Sequence, residues 1–218
     1  MEFRRVLFRS VVFTTPAIRG LRQRFPDAYI TYMVEPPAAP VVSHNPHLSQ
    51  VLVAPRGTGL RGLRADLALG RQLRADRYDL VIDFHSGPRS SLLAWLSRAP
   101  SRVGYDVPGR GWMYTTRVPR PRGIRPRHAV LNQWDLLDAI GIPYPDPAHS
   151  PTEMSVDASA RAAIDARLAS LSVTSSHDLV VMHVSAGNPF RRWPIDAFAS
   201  LAATLVREHP RRRVLVVS

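Results

Sequence analysis

The chain has 218 residues, 45% hydrophobic and 21% charged, which marks a folded globular protein long enough for one large or two small domains and excludes a disordered chain. Its formal charge is +12, with all 29 basic residues arginine, a surplus that favours anionic partners: nucleic acid, lipid headgroups or phosphorylated substrates. It contains no cysteine, which excludes disulfide frameworks, thiolate zinc sites and cysteine nucleophiles and fits a reducing cytoplasm, and no apolar run approaches the roughly 20 residues of a membrane span.

Met1–Ser10, MEFRRVLFRS, lacks the shape of a signal peptide and reads as a non-native leader, with Val6-Leu7-Phe8 the part that suits a first strand. Thr14-Thr15-Pro16 opens a helix, with Thr15 as N-cap and Pro16 at the first helical position; the helix runs to about Phe25. Tyr29–Val34 is β-branched and aromatic, a strand. A short helix over Pro37–Ser43, a strand at Gln50–Val53 and a helix over Leu60–Asp76 follow. Next come a strand at Tyr78–Phe84, a helix at Arg89–Arg98 and a strand at Ser101–Tyr105. Arg117, Arg120, Arg122, Arg125 and Arg127 fall in a proline-rich stretch that reads as a solvated basic loop. His128–Ile140 is a helix with Val130, Trp134 and Leu137 at helical spacing, stopped by Gly141. This alternation predicts a parallel sheet with helices on both faces.

Gly141–Glu153, GIPYPDPAHSPTE, is rich in proline and poor in core residues, a linker. Beyond it Asp157 caps a helix with Ala160, Ile164, Leu168 and Leu171 on one face. A buried strand at Leu179–Val184, a helix presenting Phe198, Leu201, Ala202 and Leu205, and a strand at Arg213–Ser218 complete the series. The expected division is a leader at 1–10, a first domain at 11–154 and a second at 155–218 that begins and is not completed.

The segment VVMHVSAGNPFRRWP, Val180–Pro194, reads as strand, polar loop, helix. In open α/β sheets ligands sit at the carboxyl ends of strands, in such loops. Ser185, the backbone N–H groups near Gly187 and the cations Arg191 and Arg192 suit an anion, most simply phosphate. Arg61, Arg64 and Arg71 fall within roughly an 80° arc at about 100° per residue, beside Arg56. His85 follows a strand end and stands near Arg89. Asp79, Asp83 and His183 read as structural rather than as bases, with His183 buried in its strand, and Trp95 and Trp134 read as core.

Six segments in register resemble glycosyltransferase family 9, the ADP-heptose:lipopolysaccharide heptosyltransferases. They are VVFTTPAIRGLRQRFPDAYITYMV (Val11–Val34), NPHLSQVLV (Asn45–Val53), LRADRYDLVIDFHSGPRSSLLAWLSRA (Leu73–Ala99), RVGYD (Arg102–Asp106), HAVLNQWDLLDAIGI (His128–Ile142) and VVMHVSAGNPFRRWPIDAFASLAATL (Val180–Leu205). The resemblance implies a GT-B-like α/β fold of two Rossmann-like domains, acceptor bound mainly to the first and nucleotide-sugar mainly to the second. It implies inverting, metal-independent transfer of a heptose-type sugar from a nucleoside-diphosphate donor, ADP-heptose, to an anionic lipopolysaccharide-core acceptor. A cytoplasmic enzyme follows, peripheral to the inner membrane, with no nucleic-acid partner and no cofactor or metal.

Residue by residue, the diphosphate loop carries over to Ser185, Gly187, Asn188 and Arg191, the last standing where the family often has lysine. Arg61, Arg64, His85 and Arg89 are the acceptor-side candidates, and Thr14 and Thr15 lie in the cleft loop. The family's catalytic base, an Asp in a Gly-Asp pair, aligns with Ser10 of Arg9-Ser10. Serine has no suitable pKa for that role, so no catalytic residue is assigned and the chain is expected to be inactive as it stands. Two other readings stay open. One is a nucleotide- or phosphate-binding Rossmann-like module without transferase activity, although no G-x-G-x-x-G follows a first strand. The other is a basic nucleic-acid-binding protein, although no recognition motif is present and the arginines are dispersed.

Overall fold

The computed structural model describes residues 11–120, 128–146, 150–186, 190 and 192–218. The described residues from Val11 to Ser155 and those from Val156 to Ser218 pack as two units.

In the first unit, α1 (Thr15–Arg24) begins at the threonine pair. Thr14, not Thr15, holds the N-cap position, and its hydroxyl donates back to the Val11 carbonyl at 2.7 Å instead of capping the helix. Pro16 sits in the first turn, where its missing N–H leaves nothing unsatisfied. α1 buries Ala17 and Ile18, and Gly20 lets it lie against Trp134: a Cβ there would stand 3.0 Å from the indole. β1 (Thr31–Val34) runs parallel to β2 (Gln50–Val53), with Thr31 opposite Gln50. Between them a 3-10 turn and α2 (Ala39–Val42) bury Val41 and Val42. α3 (Gly59–Ala75) packs on α4 (Pro88–Leu96), where Gly70 permits close approach: a Cβ would lie 2.7 Å from Leu96 Cδ1. β3 (Leu80–Asp83), β4 (Ser101–Asp106) and β5 (Thr116–Pro119) form a parallel three-stranded sheet in that order. α5 (Ala129–Asp138) buries Trp134, Leu136 and Leu137.

The elements agree in type with their sequence patterns except at two places. The basic loop contains β5: Thr116 and Val118 alternate, and Val118 is buried beside Val103, Tyr105 and Leu136. Two residues of strand periodicity among prolines and arginines are too few to read. Arg122, Arg125 and Arg127 lie outside the described residues. The five described strands also form two sheets rather than one. β1 and β3 face each other across a cavity of about 770 Å³, lined by Thr31–Met33 and Leu80–Asp83 together with Ile18, Leu73 and Leu93. The expected strand at Val6–Phe8 lies outside the described residues.

In the second unit Asp157 caps α6 (Ala158–Ser170), accepting from the Ala160 N–H at 3.2 Å. β6 (Asp178–His183) and β7 (Arg212–Val217) pair in parallel, with α7 (Ile195–Glu208) between them in sequence. Here the expected burial is corrected. No residue of α6 or α7 is buried, Ile164 is 58% exposed, and within β6 only Met182 is buried. His183, expected inside, is exposed. A parallel sheet is buried only where helices cover both faces, and two strands with two helices enclose too little apolar surface for that.

Candidate functional site

In the second unit β6 ends at His183, and the Val184 N–H makes the last rung to the Val217 carbonyl at 3.0 Å. The chain then leaves the sheet at its carboxyl end as Ser185-Ala186. Ser185 Oγ lies 3.4 Å from His183 Nε2. Arg192 Nε donates to the Ala186 carbonyl at 2.9 Å, which ties the start of the loop to the turn before α7. Trp193 packs edge-to-face on Phe198, ring centres 5.0 Å apart, and fixes where α7 begins. Of the sequence-derived diphosphate set, the structure places Ser185; Gly187, Asn188 and Arg191 lie outside the described residues. Arg192 holds this loop through one N–H and is otherwise exposed, so its guanidinium retains donors for an anion.

In the first unit the carboxyl ends of β1, β2 and β3 converge on Arg89, at the start of α4. Its Nε donates to Asp66 Oδ1 at 2.8 Å, Nη1 to the Ala54 carbonyl at 3.2 Å and Nη2 to the Pro55 carbonyl at 3.1 Å. Glu35 stands 3.6 Å from the same guanidinium and receives Arg56 at 2.9 Å. Arg89 therefore braces α3, α4 and the loop after β2. Arg61 and Arg64 are exposed on α3, and among the described residues no carboxylate pairs with either. His85 is exposed at the end of β3, its ring against Gly87, where a Cβ would meet His85 Cδ2 at 2.6 Å.

Thr14 and Thr15 are both buried. Thr14 Oγ1 lies 2.9 Å from the Tyr32 hydroxyl, whose desolvation pushes that phenol up to about 12, the Thr14 contact working the other way. Thr15 Oγ1 donates to the Val12 carbonyl at 2.8 Å and accepts from the Glu153 N–H at 2.8 Å. The Glu153 carboxylate in turn receives Arg19 and His47, each at 3.3 Å. This latch holds the proline-rich segment onto α1.

Asp83 is buried with both oxygens taken. Oδ1 accepts the His85 and Ser86 N–H groups at 3.0 and 2.8 Å, and Oδ2 accepts the Tyr114 hydroxyl at 2.6 Å. Burial first, then the Asp83 charge, raises the Tyr114 phenol well above its ordinary value. Asp83 thus staples the turn after β3 and is not poised to take a proton. Sequence reasoning missed Glu35, Asp66, Tyr114 and Glu153. The three carboxylates leave no trace beyond belonging to 17 acids among 29 arginines, and Tyr114 leaves none. Among the described residues no three His, Asp or Glu side chains gather as metal ligands.

The family model for glycosyltransferase family 9 (heptosyltransferase) matches residues 67–215. Lipopolysaccharide heptosyltransferase 3 of Escherichia coli is 26% identical over 201 residues, covering 90% of this chain and 56% of the relative. The crystal structure of a family 9 glycosyl transferase from Veillonella parvula superposes with a TM-score of 0.84 at 24% identity, over 95% of this chain and 58% of that one. Escherichia coli heptosyltransferase WaaC with ADP superposes with a TM-score of 0.65 at 20% identity, over 96% and 63%. The chain therefore spans a little over half the length of these relatives, and its fold is GT-B-like, each described unit a Rossmann-like piece with parallel strands.

Proposed function

The chain belongs to glycosyltransferase family 9, and from that premise we propose that its protein transfers a heptose-type sugar from ADP-heptose to a lipopolysaccharide-core acceptor, with inversion and without a metal. An acceptor hydroxyl attacks the anomeric carbon while the bond to the diphosphate oxygen breaks on the opposite face. The hydroxyl proton goes to a base, and the leaving diphosphate takes the electron pair. The observation that carries this reading is the strand–loop–helix around Ser185, at the carboxyl end of β6 and inside the matched segment. Ser185, Gly187, Asn188 and Arg191 would hold the diphosphate, where N–H donors and a cation stabilise the charge that develops. The ADP named with WaaC supports the choice of nucleotide.

Arg61, Arg64 and His85 would meet acidic groups of the acceptor, while Arg89, its donors engaged, positions the helices that present them. The protein works on the cytoplasmic side, peripheral to the inner membrane that carries the acceptor. With Ser10 in the base position and Asp83 committed to its turn, the chain as it stands binds without turning over. The test is calorimetric titration with ADP at low and high salt, run beside an assay of transfer from ADP-heptose to a deacylated acceptor. Salt-sensitive ADP binding that Arg191→Ala weakens supports the diphosphate role. Absence of ADP binding overturns it.

A further inference from the structure

The outward side of α3 is built unlike an ordinary solvated helix face. Its inner side is Gly62, Gly70 and Leu73, all buried, with Asp66 drawn in to Arg89. Adjoining that side on the helix surface, Leu60, Leu63 and Leu67 are 77%, 51% and 38% exposed. At about 100° per residue these three fall within roughly a 60° arc, and at about 1.5 Å per residue they span about 10 Å of helix. Arg64, Arg71 and Arg74 stand on the same outward side with Arg61 at its border, all exposed. The only carboxylate between Gly59 and Ala75 is Asp66, which faces away. Among the described residues no ion pair reaches these four arginines.

We propose that this face of α3 is a docking surface for an anionic lipid bilayer, with the three leucines seated among the headgroups and Arg71 and Arg74 on lipid phosphates. The proposal rests on the lipopolysaccharide-acceptor reading above, since an acceptor anchored in a membrane is met at its surface. Exposed apolar side chains interleaved with unneutralised cations are the composition that binds such an interface. A second copy of the chain fits worse, because two such faces would bring eight like charges together without a counter-charge. Position agrees as well. α3 starts directly after the carboxyl end of β2, the edge at which open α/β sheets hold ligands, so docking there brings that edge to the bilayer.

The test is co-sedimentation of the whole chain with vesicles of phosphatidylglycerol and phosphatidylethanolamine, against phosphatidylcholine vesicles, without nucleotide or acceptor. Binding to the anionic vesicles alone is expected. Leu60→Ser/Leu63→Ser/Leu67→Ser should lower partitioning at least about tenfold. Arg71→Gln/Arg74→Gln should lower it by about five-fold per charge, and it stands as the second variant should the leucine variant not fold. Arg161→Gln/Arg167→Gln on α6, equal in charge removed, should change it far less. Equal losses from both arginine pairs would reduce the effect to net charge and overturn the proposal. So would failure to bind anionic vesicles, or leucine-dependent self-association in sedimentation velocity without lipid. The deacylated acceptor used above needs no membrane. Loss of vesicle binding with ADP binding intact therefore sinks the docking surface alone, and the reverse result sinks the functional reading alone.

Discussion

Asp83, which reads from the sequence as structural rather than as a base, is held by its neighbours as architecture. Its three acceptor bonds close the turn after β3, and Ser86 is held there in a left-handed conformation with φ 51°. Asp83→Ala leaves the buried Ser86 N–H, the part-buried His85 N–H and a phenol short of their charged partner. Bonds to charged groups are worth about 1.5–3 kcal/mol each and part of the loss is recovered elsewhere, so the expected cost is about 3 kcal/mol in urea unfolding. Alkaline titration offers a second test at this scale. The chain has neither lysine nor cysteine, so between pH 10 and 12 its six tyrosines are the side chains that ionise. Burial holds Tyr32 up to about 12 and raises Tyr114 as well. Below pH 10 both folded and unfolded phenols stay protonated. Above it the unfolded chain ionises first, so stability falls from about pH 10 until the folded phenols ionise in turn. Urea midpoints at pH 9 and 11 should show the loss, and Tyr32→Phe should reduce it; an unchanged slope in that variant contradicts the assignment. The sequence marked Ser185 and Arg89 by their place after strands. It could not show that Arg89 is spent on Asp66 and Glu35, because those pairs join residues 23 and 54 positions apart.

At the level of elements, period and punctuation made most of the first unit legible. Gln50–Val53 is a strand with the expected bounds, and α3, α4 and α5 stand within a few residues of theirs. What stayed hidden depends on neighbours. β5 is four residues whose only apolar anchor is Val118, and its identity comes from pairing with β4. The apolar spacing of α6 promised a buried face, yet spacing says only that a face exists, not that anything covers it. Helix contacts are equally silent in sequence until a small residue marks them. Gly70 is such a mark, since any Cβ there meets Leu96 in α4. Gly70→Val should force α3 away from α4 at a cost of about 1–3 kcal/mol. Because α3 and α4 carry both ends of the Asp66–Arg89 pair, it should also loosen that brace. A thermal melt tests the first effect. Combining Gly70→Val with Leu96→Ala tests the cause, since the added methyls then gain room and the double variant should lose less than the sum of the two.

For the whole molecule, the proposed reaction divides between two α/β units: the candidate acceptor-side cations on the first, the candidate diphosphate loop on the second. The resemblance made that division readable, because six ordered segments constrain a fold far more than any one of them. The same register raises the question of the proton. On the resemblance the family's Gly-Asp pair aligns with Arg9-Ser10, and of the carboxylates near the strand ends Asp83 and Asp66 are already engaged, by the Ser86 N–H and Tyr114 hydroxyl and by Arg89. A positioned general base is worth about 10²–10⁴-fold, so if that alignment holds, turnover by the chain should fall by that factor. The chain covers 56% of the E. coli heptosyltransferase 3 sequence, so a chimera continuing Ser218 with the remainder of that relative tests position 10 over that relative's full length. Four proteins decide the matter: the chain, the chain with Arg9→Gly/Ser10→Asp, the chimera, and the chimera with both substitutions. Only the last should transfer heptose from ADP-heptose to a deacylated acceptor at an appreciable rate, at least about a hundredfold above the chimera that keeps Ser10. Equal rates for the two chimeras would show that another group takes the proton, and Asp83→Asn in that background would then identify or exclude the buried carboxylate. Turnover by the unaltered chain would remove the base from position 10 altogether.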